Sequence, residues 1–163
     1  MKISAEELRA LLDYDPETGV FRWRERRGPV RPGDVAGTPQ QKGYIKINVR
    51  RNVMWAHRLA WLYVHGEWPK GMLDHVDGNP ANNAIANLRV CCSSKNTANS
   101  KRRYDNTTGF KGVFYRKDTG KFAAYLTVNY RRLSLGCFST AEEAHAAYVA
   151  AAVTHFGEFA RAA

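Results

Sequence analysis

The stretch LDHVDGNPANNAIANLRVCCSSKN, residues 73–96, constrains this chain most, because its pattern changes three times within two dozen residues. Apolar and polar residues alternate before and after a dense turn that is rich in asparagine, which is a poor strand and helix former. The pattern predicts a strand at 72–76, a turn at Asp77-Gly78-Asn79-Pro80, a strand at 87–91, and a helix capped by Ser93 or Ser94.

Asp74 and His75 stand side by side in the first of these strands. Adjacent side chains on a strand point to opposite faces, so the two residues serve neighbouring but separate tasks. Histidine accepts protons near neutral pH, and carboxylate and amide oxygens bind hard divalent cations. Such groups supply what phosphodiester hydrolysis needs, namely a base for water and positive charge at the leaving oxygen. The stretch is therefore a candidate hydrolytic site.

The charge of the chain favours a polyanionic partner. Twenty-five Lys and Arg residues oppose fifteen Asp and Glu residues, for a net charge of +10. The excess is spread out, with ten basic against seven acidic residues in 1–50, eight against four in 51–105, and seven against four in 106–163. A nucleic acid that touches all three regions would explain this distribution, although many soluble proteins are simply basic.

Length and composition exclude several other classes. The 163 residues suffice for one domain or two very small ones. No apolar run could span a bilayer, and Met1-Lys2-Ile3 leads into an acidic, helix-like start rather than a signal peptide. Cys91, Cys92 and Cys137 have no C-x-x-C spacing, so neither a disulfide framework nor a zinc site is expected. We expect a cytoplasmic location in the host cell and no membrane partner.

The segment AHRLAWLYVHGEWPKGMLDHVDGNPANNAIANLRVCCSSKNTAN resembles the phage-type HNH homing endonucleases, whose core has the ββα-metal fold. The resemblance covers about residues 56–100 and rests on H-R-L-x-W, D-H-x-D-G-N, N-x-L-R and a K-N pair in the closing helix. It implies that His75 is the general base, that Asp74 and Asn96 bind the metal, and that Asn87 orients the imidazole. It also implies a divalent cation, Mg²⁺ or another such as Mn²⁺.

Neighbouring side chains keep more than one interpretation. Asn99 lies three residues beyond Asn96 on the same helical face and is an alternative metal ligand. His57 either approaches the phosphate or, as we favour, makes a buried structural contact. Arg58 and Arg89 either support the structure or contact phosphate. The asparagines expected only to shape the loop, because asparagine tolerates turn conformations, are Asn79, Asn82 and Asn83.

The N-terminal third predicts a helix and two strands. Residues 4–7, Ser-Ala-Glu-Glu, form a capping box, and alternating segments follow at 20–24 and 44–49. The Pro-, Gly- and Arg-rich segment between the strands, residues 24–43, is expected to be a mobile loop whose arginines are either solvated or grip phosphates. The DNA contacts expected from this arm are Arg22, Arg24, Arg26 and Arg27.

The C-terminal third predicts strands at 112–116, 121–128 and 132–136 and an alanine-rich helix that opens on a second capping box. It resembles the Apetala/ethylene-response-factor DNA-binding domain in the motifs K-G-V-x-x-R, G-K-F-A-A, L-G-C-F-S-T and A-E-E-A-x-x-A-Y. In that family a three-stranded sheet enters the major groove. Alternation independently places Val113, Tyr115, Leu133 and Leu135 toward the helix. The outer-face residues suited to phosphates and base edges are Arg116, Lys121, Tyr125 and Arg132.

The patterns predict an α+β chain, and the resemblance to the HNH family implies a ββα-metal (HNH) nuclease core within it. The expected segments are an N-terminal helix and β-hairpin arm at 1–52, the nuclease core at 53–100, a basic linker at 101–107, and a three-stranded antiparallel sheet plus one helix at 108–160. The linker residues expected to track the DNA backbone are Lys101, Arg102 and Arg103.

The expected function is site-specific, divalent-metal-dependent cleavage of double-stranded DNA, by a protein that is monomeric on its substrate. One alternative is a sequence-specific DNA-binding regulator with a silent nuclease core. Another is an RNA-binding or structural accessory protein. The intact set Asp74, His75, Asn87 and Asn96 argues against the silent core.

Overall fold

The computed structural model of this protein describes residues 3–161 and divides into two compact units, Met1–Cys91 and Cys92–Ala163. Helices and antiparallel sheets occur in both units, which confirms the predicted α+β class. Among the described residues, no helix has the length and apolar character needed to cross a membrane.

The first unit opens on a short helix and a hairpin. Helix α1, Ala5–Leu11, begins at the predicted capping box, where the Ser4 hydroxyl accepts from the Glu7 amide at 3.1 Å. The Glu7 carboxylate accepts from the Ser4 amide in return, at 3.0 Å. The helix leads directly into strand β1, Leu12–Tyr14, which pairs antiparallel with β2, Phe21–Trp23.

The remaining elements of the first unit are a small sheet, a helix and a second hairpin. The sheet has the order β3-β4-β5 and is formed by Thr38–Pro39, Ile45–Val49 and Asn52–Trp55. Helix α2, Ala56–His65, ends at Gly66, whose φ of 76° is the left-handed conformation that glycine tolerates best. Strand β6, Met72–His75, then pairs antiparallel with β7, Leu88–Cys91.

One hydrophobic core joins these elements. Leu8 and Phe21 from the N-terminal part pack in one cluster with Ile47 of β4, Leu59 of α2 and Leu88 of β7. The predicted boundary between an arm at 1–52 and a nuclease core at 53–100 therefore falls inside one packed unit. Burial of apolar area on both sides of residue 52 is what holds the two parts together.

The second unit begins with a short helix. Helix α3, Ser93–Ala98, has Cys92 at its N-cap with no side-chain cap bond, so the prediction of a serine cap is wrong. Ser94 lies inside the helix, and its hydroxyl accepts a hydrogen bond from the Asn129 amide at 3.2 Å. The Ser94 hydroxyl, which the local pattern assigned to capping the helix, thus bonds to Asn129, a residue distant in sequence.

Most of the second unit is the predicted sheet with one helix on it. Strands β8, β9 and β10 form an antiparallel sheet of order β10-β9-β8, and α4 follows; their bounds are Val113–Arg116, Lys121–Val128, Arg131–Phe138 and Ala141–Phe156. The predicted capping box at the start of α4 is confirmed, because the Thr140 hydroxyl accepts from the Glu143 amide at 3.2 Å.

One cluster of buried residues in the second unit lies between the sheet and α4. Val113, Ala124 and Ala144 are fully buried between the sheet and α4. Tyr115 and Leu133 were predicted to face this core but are 50% and 37% exposed. Larger, partly buried side chains pack around this cluster, among them Phe122, Leu135 and Phe138. A register shift between Ser134 and Gly136 also interrupts the alternation that the prediction assumed along β10.

Candidate active site

The β6–β7 hairpin places Asp74 and His75 at the centre of the candidate site. Asp74 lies opposite Arg89 and His75 lies opposite Leu88 in the strand register. Both side chains are buried, with 6% and 5% of their surface exposed. A buried acid and a buried histidine side by side need specific partners, and the structure supplies different ones to each.

Asp74 forms an ion pair with Arg89. The Arg89 Nε and Nη2 atoms both lie 3.0 Å from Asp74 Oδ2. The sequence left Arg89 open between a structural and a phosphate-binding role, and in the structure it is the cross-strand partner of this carboxylate. A cation bound by Asp74 would share the carboxylate with the guanidinium.

His75 lies against the amide of Asn83. The imidazole Nε2 atom is 3.4 Å from Asn83 Oδ1. Burial lowers the pKa of His75, while the Asn83 hydrogen bond and the nearby carboxylates of Asp77 and Asp74 act in the opposite direction. The net lowering keeps the imidazole neutral at physiological pH, which is the form that accepts a proton.

Asn87 makes its side-chain hydrogen bonds to the loop between the two strands. Its Oδ1 accepts from the Asp77 amide at 3.0 Å. Its Nδ2 donates to Asp77 Oδ1 at 3.0 Å and to the Asn82 carbonyl at 2.9 Å. The resemblance assigned Asn87 to orienting the imidazole, but the amide found beside His75 is that of Asn83.

The asparagines of the loop are organised around the Asp77 carboxylate. Asp77 accepts from the Asn79 amide at 2.7 Å and from the Asn82 side chain at 2.8 Å, in addition to Asn87. Burial raises the pKa of Asp77, but these donors outweigh it and the pKa is lowered overall. The expectation that Asn79 and Asn82 shape the loop agrees with these contacts.

An aromatic cluster surrounds the second histidine of the site. The His57 ring centroid lies 5.3 Å from that of His75, 5.7 Å from Tyr44 and 6.3 Å from Trp55. Its Nδ1 atom is buried with no hydrogen-bond partner among residues 3–161. Burial, followed by the charges of His75 and Arg58, lowers the pKa of His57 to about 4. The imidazole of His57 is therefore neutral and lies beside that of His75, the candidate base.

The predicted ligands on α3 belong to the second unit. Asn96 lies within the helix, and Asn99 is the buried residue that ends it, with its amide donating to the Lys95 carbonyl at 3.1 Å. Across residues 3–161, no group of three His, Cys, Asp or Glu side chains is arranged to hold a metal ion. A metal centre formed by Asp74 with Asn96, or with Asn99, stays a prediction.

The N-terminal arginines that the sequence assigned to DNA each contact other residues of the first unit. The contacts are Arg22 to the Gly33 carbonyl at 2.9 Å, Arg24 to Asp13 at 2.6 Å, Arg26 to the Gly28 carbonyl at 3.4 Å, and Arg27 over the Trp23 ring at 4.3 Å. Arg24, Arg26 and Arg27 belong to the loop at 24–43 that the sequence predicted to be mobile, and their contacts do not test that prediction. They leave the predicted DNA contacts untested.

The outer face of the second unit carries a stacked arginine. The Arg132 guanidinium lies 3.8 Å from the Tyr125 ring centroid and 5.1 Å from that of Phe114. Arg116, on the neighbouring edge, is instead paired with Asp118 at 2.5 Å. A groove of about 680 Å³ runs beside this face, and its walls include Lys101, Arg102, Arg103, Lys111, Tyr125 and Arg132.

Comparison with known proteins places the candidate site within a matched region. Residues 54–98 match the family model described as HNH endonuclease. "Protein 3.8" of Escherichia phage T7 is 41% identical over 63 residues, which cover 38% of this chain and 52% of that protein. The candidate HNH homing endonuclease YosQ, from the SPbeta prophage of Bacillus subtilis (strain 168), is 29% identical over 87 residues, 53% of this chain and 50% of that protein.

These similarities support the predicted class of enzyme, an HNH endonuclease, for residues 54–98, and they show that the chain is similar to a phage protein and a prophage protein. The chain spans about half the length of the curated relatives it matches. No solved structure gives a significant match to it. The family model ends at residue 98, so the resemblance of residues 108–160 to the Apetala/ethylene-response-factor domain is a prediction without support from that match.

Proposed function

We propose that this protein is a site-specific, divalent-metal-dependent DNA endonuclease in which His75 is the general base. The observation that carries the proposal is the buried, neutral imidazole beside a buried carboxylate, on a hairpin within the region that matches HNH endonucleases. The neutral ring accepts the proton of the attacking water. The carboxylates of Asp77 and Asp74 favour the charged form of the ring, so they stabilise the imidazolium that results.

The metal site of this proposal consists of Asp74 and Asn96, with Asn99 as the alternative. Carboxylate and amide oxygens are the donors that Mg²⁺ and Mn²⁺ accept, which is why this donor set suits the ion. When bound, the cation supplies positive charge at the leaving oxygen. Arg89 holds the Asp74 carboxylate in place on the hairpin, as their 3.0 Å contact supports.

The substrate of this proposal is double-stranded DNA, bound by one protein molecule. The basic linker and the outer face of the β8–β10 sheet supply backbone and base contacts, in the manner of an Apetala/ethylene-response-factor domain. The residues assigned to this surface are Lys101, Arg102, Arg103, Arg116, Lys121, Tyr125 and Arg132. The stacking of Arg132 on Tyr125 supports the assignment, because a guanidinium held by an aromatic ring presents its donors in a fixed plane.

Replacing the base tests the proposal. With Mg²⁺ and supercoiled plasmid, His75→Ala should lower the cleavage rate by about 10²- to 10⁴-fold while DNA affinity stays nearly unchanged. His65→Ala, at the exposed end of α2, is the matched control and should cleave as the parent does. EDTA should stop cleavage by the parent protein. Equal cleavage by the His75 variant would exclude His75 as the base.

The same assay distinguishes the alternative function. A DNA-binding regulator with a silent nuclease core would shift plasmid DNA in a gel without nicking it, with or without Mg²⁺. Metal-dependent nicking that fails in the His75 variant would exclude that alternative. Competition between duplex DNA and RNA for the protein would test the RNA-binding alternative.

A further inference from the structure

Asn83 is the most deeply buried amide side chain next to the candidate base. Only 1% of its surface is exposed, whereas Asn79 is exposed and Asn82 is half-buried on the same loop. Its Oδ1 lies 3.4 Å from His75 Nε2. This separation is longer than an ideal hydrogen bond, as is common for catalytic contacts before substrate binds. An asparagine that only shaped the loop would not need to be placed against the imidazole.

The orientation of the Asn83 amide follows from its second contact. The Asn83 Nδ2 atom donates to the Ala81 carbonyl at 3.1 Å. If the amide were reversed, its oxygen would face that carbonyl, and two acceptors would oppose each other in a buried position. The oxygen therefore faces His75, and the imidazole nitrogen opposite it must carry the hydrogen. A neutral imidazole has one such hydrogen, so its lone pair lies on Nδ1.

The backbone of Asn83 is held by the β1–β2 hairpin at the other end of the first unit's sequence. The Tyr14 hydroxyl donates to the Asn83 carbonyl at 2.8 Å, and burial raises the pKa of Tyr14 to about 12, which keeps that donor in place. Gly19, with φ +73°, approaches so closely that an added Cβ would lie 2.2 Å from the Asn83 carbonyl carbon. The Ile85 amide donates to the Pro16 carbonyl at 3.1 Å. The loop is thus fixed on both sides of Asn83.

We infer that Asn83 is a positioning residue that holds His75 as its Nε2–H tautomer and so directs proton acceptance to Nδ1. The inference rests on the proposed role of His75, because the tautomer matters to function only if the imidazole is the base. It gives Asn83 the orienting role that the family resemblance assigned to Asn87. Asn87 supports the position of Asn83 only indirectly, through its hydrogen bonds to Asp77 and Asn82 in the same loop.

The tautomer can be measured without any nuclease activity. Two-bond ¹H–¹⁵N correlation spectra of the full chain at about pH 8, where the imidazole is neutral, distinguish a protonated from an unprotonated ring nitrogen. The parent protein should show His75 as a single Nε2–H tautomer. Asn83→Ala should give a mixture or the opposite tautomer. Asn83→Asp keeps an acceptor oxygen toward Nε2 and should retain Nε2–H, although its second oxygen opposes the Ala81 carbonyl and should lower the stability of the loop.

Asn82→Ala is the matched control for this experiment. It removes loop hydrogen bonds to Asp77 at 2.8 Å and from the Ala84 amide at 3.3 Å but none to the imidazole. It should leave the His75 tautomer unchanged. An Nδ1–H tautomer in the parent protein would overturn the inference, and so would the same tautomer change in the Asn82 and Asn83 variants, which would indicate general loosening of the loop.

Cleavage kinetics then connect the tautomer to catalysis. Asn83→Ala should lower kcat by about 10- to 100-fold with little change in KM, as for other residues that orient a reactive side chain. Asn83→Asp should recover part of that loss. If His75→Ala cleaves normally, the proposed nuclease role of His75 fails, whereas the spectra still decide what Asn83 does to the imidazole. If the His75 variant is inactive but Asn83→Ala keeps the parent tautomer, the inference alone fails.

Discussion

The buried ring of His57 should make the first unit sensitive to acid. Its pKa in the folded protein is about 4, because burial disfavours the charged imidazole. In the unfolded chain a histidine titrates near its ordinary value of about 6.5. The unfolded state therefore binds a proton first as the pH falls, and folding stability declines between these two values. Above a pH of about 6.5 the His57 ring is neutral in both the folded and the unfolded state, so it adds no pH dependence to folding stability.

The magnitude follows from the two pKa values. At about pH 5 the unfolded histidine is almost fully protonated and the folded one is mostly neutral, which costs roughly 2 kcal/mol of folding free energy. At about pH 7.5 the corresponding cost is close to zero. With a urea m-value of about 1 to 2 kcal/mol per molar, the midpoint of unfolding should fall by about 1 to 2 M between these conditions.

Tryptophan fluorescence suits the measurement, since all four tryptophans of the chain lie in the first unit. His57→Phe keeps an aromatic ring among Tyr44, Trp55 and His75 and removes the titrating group, so it should lose about 2 kcal/mol of the pH dependence. His65→Gln, at the exposed end of the same helix, should retain the parent's dependence. If the urea midpoint fell by the same amount in the parent and in the His57 variant between the two pH values, the reasoning would be refuted. The pH dependence of stability would then come from groups other than His57.

Three further perturbations follow from the geometry. Arg89→Leu leaves a buried carboxylate without the guanidinium 3.0 Å away and should cost about 3 to 5 kcal/mol in urea unfolding; a loss below about 1 kcal/mol would contradict this. Gly19→Ala places a methyl group 2.2 Å from backbone at φ +73° and should prevent stable folding, whereas Gly28→Ala, at φ +62° in open space, should cost only about 1 to 2 kcal/mol. In gel-shift titrations Arg132→Gln should weaken DNA binding by about tenfold, and Arg116→Gln, which removes an already ion-paired charge, should weaken it less; equal losses would refute the assignment.

Local signals in the sequence predicted much of the fold correctly. Both capping boxes appear where a serine or threonine precedes a glutamate by three residues, because that pairing needs no distant partner. Strand β5 was missed. Its hairpin turn consists of Arg50 and Arg51 with φ values of 50° and 63°, positions where asparagine and glycine normally signal a turn. Two arginines there give the sequence no recognisable signal.

Only those residues of the candidate site that are adjacent in the sequence could be predicted. Asp74 and His75 were found because they are adjacent in a short strand with a distinctive turn after it. The pairing of Asp74 with Arg89 depends on hairpin register, and the long loop at 76–87 does not fix register as a two-residue turn would. Asn83 carries no local signal that separates it from Asn82. Its burial comes from contacts with residues that lie more than sixty positions earlier, such as Tyr14.

The core shared across residue 52 has a consequence for how such a domain can be exchanged between proteins. A graft confined to the family-matching segment, 54–98, would carry Asn83 but leave behind the tyrosine hydroxyl and the glycine turn that hold its backbone. A recipient protein would have to supply equivalent contacts to the Asn83 backbone. Without them, we expect the His75 imidazole to populate both tautomers. The smallest module that carries the positioned base is therefore the whole first unit, Met1–Cys91, and a graft meant to cleave DNA would also need α3, which carries the proposed metal ligand Asn96.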